Sequence, residues 1–514
     1  MPEGVEMKLP EKKKSLFDRF LDKTEVLGNK LPHPVVLFII LTVIAVALSW
    51  IGAVLGWSVI HPSTGDTISV FNLVSQPGVQ YIFQNFISNV TSFAPLGVTL
   101  VIMVGMGLLQ DSGLFNAVFI SLGLRVNKHA LTTMIVFLGI MANFMSDTGF
   151  IILPPLAAML FVASDRHPLV GMCCAYAACA SGMAANLLVG VGDATITSIT
   201  ISAAQLLNPN FTISPACCWY FFAIAVFVLT PVSVIVTERL LEPRMGKWKG
   251  SATAPKVNLE AYRLSPVEKK AMKKTGILLL VIIAVLAFGT MTPWGVLKDE
   301  TGTSLFLSSK NSLSSIIVAL TLLLGLPGLY YGKLTGVFKT TKDFGKSCTK
   351  AMVTVAPFIV LCVFAGQFIA YFGKSNLGLI MAVNGAEMIS SSGIPPLLLF
   401  ILCIVLFAVV DLFVASSSAK WTLMAPIFVP MFMLLNYNPA IIQAAYRVGD
   451  SIVNSVTPLM AYFALLVGMA QEYDEKAGIG TLMSLLIPYS LFYGITWIIY
   501  FAVYFLTGAP FGVY

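Results

Sequence analysis

Six ionisable side chains fall inside long apolar stretches of this sequence: Asp147, Asp193, Asp411, Lys420, Arg447 and Asp450. An ionised group in hydrocarbon costs at least about 2.5 to 3.5 kcal/mol, so each needs a partner or a task. Asp147 belongs to a turn of small polar residues, Ser146-Asp147-Thr148-Gly149, and Ser416-Ser417-Ser418 forms a comparable turn further on. Hydroxyls, carbonyls and a carboxylate at a helix break supply hard oxygen ligands for a cation such as sodium, while helix N-termini attract anionic groups. Asp193 follows Gly190-Val191-Gly192, with Asn186 upstream. That pattern suits ion coordination or a proton-carrying carboxyl, with a cap for the helix that follows as the plainer alternative. Arg447 and Asp450 have the i, i+3 spacing of an ion pair on one helix face. A guanidinium also matches a carboxylate ligand through paired hydrogen bonds. Trp421 follows the serine turn, where stacking on an aromatic ligand and packing within its own hairpin are both open, and Lys420 is long enough to snorkel.

The elements that hold these residues are set by composition. Of 514 residues, 57% are hydrophobic and 11% charged, whereas an ordinary soluble domain carries about 25% charged residues. Apolar runs long enough to cross a bilayer recur from residue 35 to residue 508. The chain is therefore expected to be an all-α polytopic membrane protein, which excludes a soluble enzyme, a secreted disulfide scaffold and a disordered chain. Simple spans are expected near 35–56, 95–110, 218–240, 275–293, 313–331, 351–372 and 481–508. Two interrupted spans, 169–200 and 440–470, bring the crossings to nine, and 131–163 and 395–435 have polar centres that mark re-entrant helical hairpins. The organisation that follows is a cytoplasmic amphipathic N-terminus (1–34, with its helix around Ser15 to Val26), a first span and outer loop (35–93), a first repeat (94–203), connecting spans with a basic loop (204–350), a second repeat (351–470) and a last span (471–514). The first apolar run lacks a small-residue cleavage site and is expected to be retained.

Lysine and arginine stay on the cytoplasmic side of short loops. The expected inner segments hold seven before residue 31, Arg125, Lys128, Arg166, ten from Arg239 to Lys274, five from Lys333 to Lys350, and Lys476, which is 26 of 31. The expected outer segments hold Lys298, Lys310 and Lys374. This distribution places the N-terminus in the cytoplasm, and the net charge of +7 reflects topology and not a nucleic-acid partner.

Two stretches share an order of landmarks. Ala94-Pro95, a span, Gly113, the first hairpin, Pro154-Pro155 and His167-Pro168 are matched by Ala356-Pro357, a span, Gly373, the second hairpin, Pro426 and Asn438-Pro439. Opposite entry of the hairpins makes these inverted repeats, an arrangement that places a transporter's binding site where the repeats meet. Competing chemistry is weak. Gly345-Lys346-Ser347 and Gly373-Lys374-Ser375 lack the upstream glycine of a P-loop, neither HExxH nor GxSxG occurs, and the four histidines form no metal pattern. No enzyme activity and no cofactor are expected.

The chain resembles the p-aminobenzoyl-glutamate transporter (AbgT) family in Gly28-Asn29-Lys30-Leu31-Pro32-His33-Pro34, Phe93-Ala94-Pro95-Leu96-Gly97, Ala185-Asn186-Leu187-Leu188, Glu242-Pro243-Arg244 and the long run Ala425 to Leu435. The resemblance implies an ion-transporter-superfamily type of fold in the bacterial inner membrane: homodimers, each protomer with nine transmembrane helices, two hairpins and its own path. It implies coupling to a sodium or proton gradient and an aromatic carboxylate cargo, with uptake of p-aminobenzoyl-glutamate or export of sulfonamides. The family's functional positions fall on Asp193, Ser418, Trp421, Pro439, Arg447, Asp450 and Pro458. Many relatives have Asn where this chain has Asp411, near a sodium site that would here involve Asp411 and Asp450. The mechanism so implied gives substrate carboxylates to Arg447 and the hairpin tips, the aminobenzoyl ring to Trp421, and the coupling ion to Asp193 and Asp450, with Asp147 and Asn186 beside them. A sodium-coupled dicarboxylate carrier is the rival within transporters, although its paired Ser-Asn-Thr tips are replaced by Ser-Asp-Thr and Ser-Ser-Ser. A channel or receptor without turnover is the rival outside them.

Overall fold

The structure is a computed structural model describing residues 33–514 apart from 61–64, 124–129, 146–147, 249, 251–263, 307–311, 415 and 458. The helix expected around Ser15 to Val26, the hairpin residue Asp147 and Pro458 lie outside the described residues. Among the described residues, seven helices are long and apolar enough to cross a membrane. They are α1 (Pro34–Val54), the near-continuous pair α2 (Gln76–Thr91) and α3 (Ala94–Asp111), then, after shorter elements, Trp219–Met245, Pro266–Met291, Ser312–Thr335, Thr341–Lys374 and Ile479–Thr507. The short helix α4 (Leu114–Gly123) leads from α3 toward the first interrupted region. A two-stranded antiparallel ribbon, Ser58–Ile60 with Thr67–Ser69, lies between α1 and α2.

The shorter helices carry the features read as hairpins and broken spans. The first hairpin region is α5 (Leu131–Ala142) and α6 (Thr148–Val162), and the first broken span is α7 (Pro168–Ser181) and α8 (Val191–Ala204). After α9 (Trp219–Met245), α10 (Pro266–Met291), α11 (Ser312–Thr335), α12 (Thr341–Lys374) and α13 (Leu377–Ser391), the pattern returns. The second hairpin region is α14 (Pro396–Asp411) and α15 (Ser417–Leu434), and the second broken span is α16 (Pro439–Val453) and α17 (Ala461–Gln471), before α18 (Ile479–Thr507).

Local chemistry accounts for several boundaries. Proline occupies the first turn of α1, α7, α14 and α16, where its missing N–H has no partner to lose. Before α10, Ser265 and Glu268 cap each other reciprocally: Glu268 N donates to Ser265 Oγ at 3.2 Å and Ser265 N to Glu268 Oε2 at 2.7 Å. Asp343 accepts from Thr340 N at 2.8 Å and starts α12 ten residues before its apolar stretch. The span expected at 351–372 is thus the membrane part of a longer helix. Helices α2 and α13 were not expected; Gln76, Gln80, Gln84, Asn85 and Asn89 dilute the apolar pattern of α2, which is anchored by Asn89 Nδ2 donating to Gln367 Oε1 of α12 at 3.0 Å.

The long helices turn large apolar side chains outward, including Val43, Phe83, Ile87, Phe227 and Leu280, as a lipid solvent permits. Where helices must touch, glycine lets their backbones approach. A Cβ on Gly105 of α3 would stand 2.5 Å from the Thr321 carbonyl oxygen of α11, and one on Gly449 of α16 would stand 2.6 Å from the Ile404 carbonyl oxygen of α14. Gly105→Val is expected to lower stability by about 1–3 kcal/mol through overpacking. Thermal unfolding of the detergent-solubilised protein reads this as a lower Tm; an unchanged Tm would show that α3 and α11 separate at no cost.

Candidate functional site

The two broken spans meet at their breaks. Ser181, ending α7, has its hydroxyl 2.8 Å from that of Ser455, just past α16. Ser451 donates its hydroxyl to the Arg447 carbonyl at 2.8 Å and accepts from Ala184 N at 3.0 Å, so one side chain ties both breaks together. Trp497 of α18 donates Nε1 to the freed Ser181 carbonyl at 3.1 Å. These bonds supply partners for backbone groups that an interrupted helix leaves open.

Around this crossing lies a cavity of about 560 Å³. The first break contributes Met183, Ala184, Asn186 and Asp193, and the second contributes Arg447, Asp450, Ser451 and Met460. Ser416, Ser417 and Ser418 enter from the second hairpin tip, Asn143 from the first hairpin region, Thr99 and Met103 from α3, and Thr354 and Phe358 from α12. Residues from both halves of the chain therefore line the cavity, and hydroxyl and amide groups are interleaved with apolar side chains.

Arg447 pairs with Asp193 across the crossing, with side-chain exposures of 10% and 15%. Its guanidinium also stands over the Phe222 ring, 4.4 Å from the centroid. Of the roles its position allowed, Asp193 has the cap: its second oxygen accepts from Gly190 N at 2.6 Å at the start of α8. The expected i, i+3 pair between Arg447 and Asp450 is replaced: Asp450 pairs with Lys420 at 2.6 Å, and Lys420 pairs with Asp411 as well. Lys420 does not snorkel. Its side chain is 1% exposed, which two carboxylates make tolerable. The position between Asp411 and Asp450, where sodium was expected, is filled in this conformation by the Lys420 ammonium.

Of the other residues singled out from sequence, Ser418 and Asn186 line the cavity. Asp411 and Trp421 are fully buried behind it. Trp421 stacks on Tyr446, with centroids 4.4 Å apart and planes at 22°. Its Nε1 donates to Thr200 Oγ1 at 2.8 Å, and Thr200 donates in turn to Gln443 Oε1 at 2.6 Å. Between packing and ligand stacking, this conformation has packing. Pro439 is buried at the first turn of α16, two turns from Arg447, and starts the helix instead of lining the cavity. Sequence reasoning missed Tyr446, whose hydroxyl donates to the Ser417 carbonyl and holds the serine tip, and Ser451. Their i−4 and i+4 spacing from Asp450 and Arg447 was the available signal.

Residues 19–514 match the family described as "AbgT putative transporter family". The chain belongs to the AbgT family. It is 33% identical over 488 residues to the Escherichia coli p-aminobenzoyl-glutamate transport protein, covering 95% of each chain. Its fold is similar to that of the YdaH transporter of Alcanivorax borkumensis, with TM-score 0.87 and 35% identity over 94% of this chain and all of that one. It is also similar to MtrF of Neisseria gonorrhoeae, described as illuminating a class of antimetabolite efflux pumps, with TM-score 0.89, 37% identity and coverage of 95% and 97%. This AbgT protein is thus a multi-pass membrane transporter and not an enzyme.

The Arg447 and Asp193 pair yields a prediction about stability. Arg447→Met leaves a nearly buried carboxylate unpaired and is expected to cost about 3–5 kcal/mol, most of which Arg447→Met with Asp193→Leu recovers. Unfolding temperatures of the two variants in detergent test this; a double variant no more stable than the single one would show that the pair does not hold the crossing.

Proposed function

We propose that the chain is a cation-gradient-coupled secondary transporter of p-aminobenzoyl-glutamate or related aromatic carboxylates in the bacterial inner membrane. The observation that carries this reading is the arginine in the wall of a cavity, lined by both polar and apolar side chains, where the two helix breaks cross. The cavity volume falls within the roughly 300–1,000 Å³ of small-molecule sites. Arg447 is already held by one carboxylate, so a substrate carboxylate can take the free edge of the guanidinium or displace Asp193 from it. The Ser416 to Ser418 hydroxyls then face the rest of the ligand. Trp421 braces the tip through Tyr446, and reaches an aminobenzoyl ring only if that stack opens.

Charge balance supports the cation. Arg447 cancels Asp193, while Lys420 stands against both Asp411 and Asp450. The cluster therefore carries one formal negative charge in excess, and a buried excess of that kind is strongly penalised. A bound sodium ion or proton removes it. Nine crossings, re-entrant hairpins at 131–163 and 395–435 and a cytoplasmic N-terminus complete the reading, supported by the charge distribution and by likeness of fold to YdaH and MtrF, and a homodimer is the assembly that the family resemblance implies. Export of antimetabolites belongs to the same reading through the likeness to MtrF, with sulfonamides as the class that the family resemblance implies.

Proteoliposomes with imposed sodium or proton gradients test it. Saturable, gradient-driven flux of p-aminobenzoyl-glutamate is expected, competed by a sulfonamide and not by succinate. Arg447→Ala should lower it roughly ten- to a hundredfold, the worth of a charge-assisted hydrogen bond. Preferential competition by succinate would favour a dicarboxylate carrier, and absence of saturable counterflow would favour a channel or receptor.

A further inference from the structure

Coupled transport as proposed leaves Lys420 without a task. Its ammonium lies 2.6 Å from Asp450 Oδ1, pairs with Asp411 on its other side, and sits just behind the cavity wall that Asp450 borders. The two carboxylates it serves are unlike. Asp411 is fully buried at the end of α14, and among the described residues its partner is Lys420, with which it forms an ion pair. Asp450 faces the cavity, with the Tyr446 hydroxyl 3.5 Å away. A cation arriving through the cavity can therefore reach Asp450 and not Asp411.

We propose that Lys420 is the chain's own counter-cation for the empty carrier: its ammonium bridges Asp411 and Asp450 when no coupling cation is bound, and withdraws to Asp411 alone when a cation takes Asp450. This rests on the cation-coupled reading above. Three facts converge on it. One ammonium is shared by two carboxylates, the α15 helix that carries Lys420 begins at the serine tip in the cavity wall, and only one of the two carboxylates is open to the cavity. With the cation bound, two positive charges meet two negative ones. With it gone, sharing leaves a single excess charge where loss of Lys420 would leave two, in surroundings where each uncompensated charge is strongly disfavoured.

Net transport requires the empty carrier to reorient, whereas exchange of substrate for substrate shuttles only the loaded form. Lys420→Met in proteoliposomes should therefore separate the two modes. With labelled p-aminobenzoyl-glutamate, net gradient-driven uptake is expected to fall at least about tenfold while exchange stays within about threefold of wild type. Adding Asp411→Asn to Lys420→Met returns the cluster to its original formal charge and should bring net uptake back to within about threefold of wild type. Net uptake that survives Lys420→Met overturns the proposal. So does loss of both modes that Asp411→Asn leaves unrecovered, which would make Lys420 a structural residue. Wild-type protein indifferent to imposed gradients overturns the coupled reading and this proposal with it, and is told apart because it needs no variant.

Discussion

The site depends on holding five charged side chains, four buried and Asp193 half-buried, around the place where two interrupted helices cross. Asp193, Asp411, Lys420, Arg447 and Asp450 come from α8, α14, α15 and α16, and each finds its compensation on another element. Such groups are tolerated in a hydrocarbon-embedded protein only in company. Their pairing therefore fixes how the second hairpin region stands against the second broken span, and how that span stands against the first. The hydrogen bonds from Ser181, Ser451 and Trp497 complete the crossing by supplying the backbone that the breaks expose.

Behind the charges is a layer that shapes the tip without touching the cavity. Trp421, Tyr446, Thr200 and Gln443 form a continuous stack and hydrogen-bond chain from α15 through α16 to α8. Phe407 of α14 closes it with edge contacts to Trp421 and Tyr446. The close approach of α16 to α14 at Gly449 adds a rigid contact one residue from Asp450. Ser416 to Ser418, Lys420 and Trp421 lie within the first turns of α15, so the serine tip, the lysine and one member of the stack share a single helix end.

Much of this was legible in the sequence. Apolar run lengths marked the seven long helices, and polar interruptions marked the breaks between the shorter helices at 131–162, 168–204, 396–434 and 439–471 to within a few residues. The intramembrane ionisable residues marked the crossing because burial penalises every unpaired charge. Partnership was not legible. Arg447 and Asp193 are separated by 254 positions, and helix periodicity offered Asp450, the nearer carboxylate, instead. Lys420 looked able to snorkel because nothing local reveals that Asp411 and Asp450 converge on it. Helix α2 escaped because its amides, which pair with α12, interrupt its apolar pattern. The orientation of Trp421 depended on Tyr446 and Thr200, both contributed by other helices.

The central claim is that the cavity at the crossing is where substrate binds. Seven of the eight cysteines are buried and Cys348 is half-buried, so a Cys348→Ser background should be nearly silent to a hydrophilic thiol reagent. In that background Ser417→Cys, at the cavity wall, tests the claim most directly. Its modification rate, followed while p-aminobenzoyl-glutamate is titrated, should fall saturably with ligand concentration. A rate unaffected by saturating ligand would contradict the account and place the substrate elsewhere.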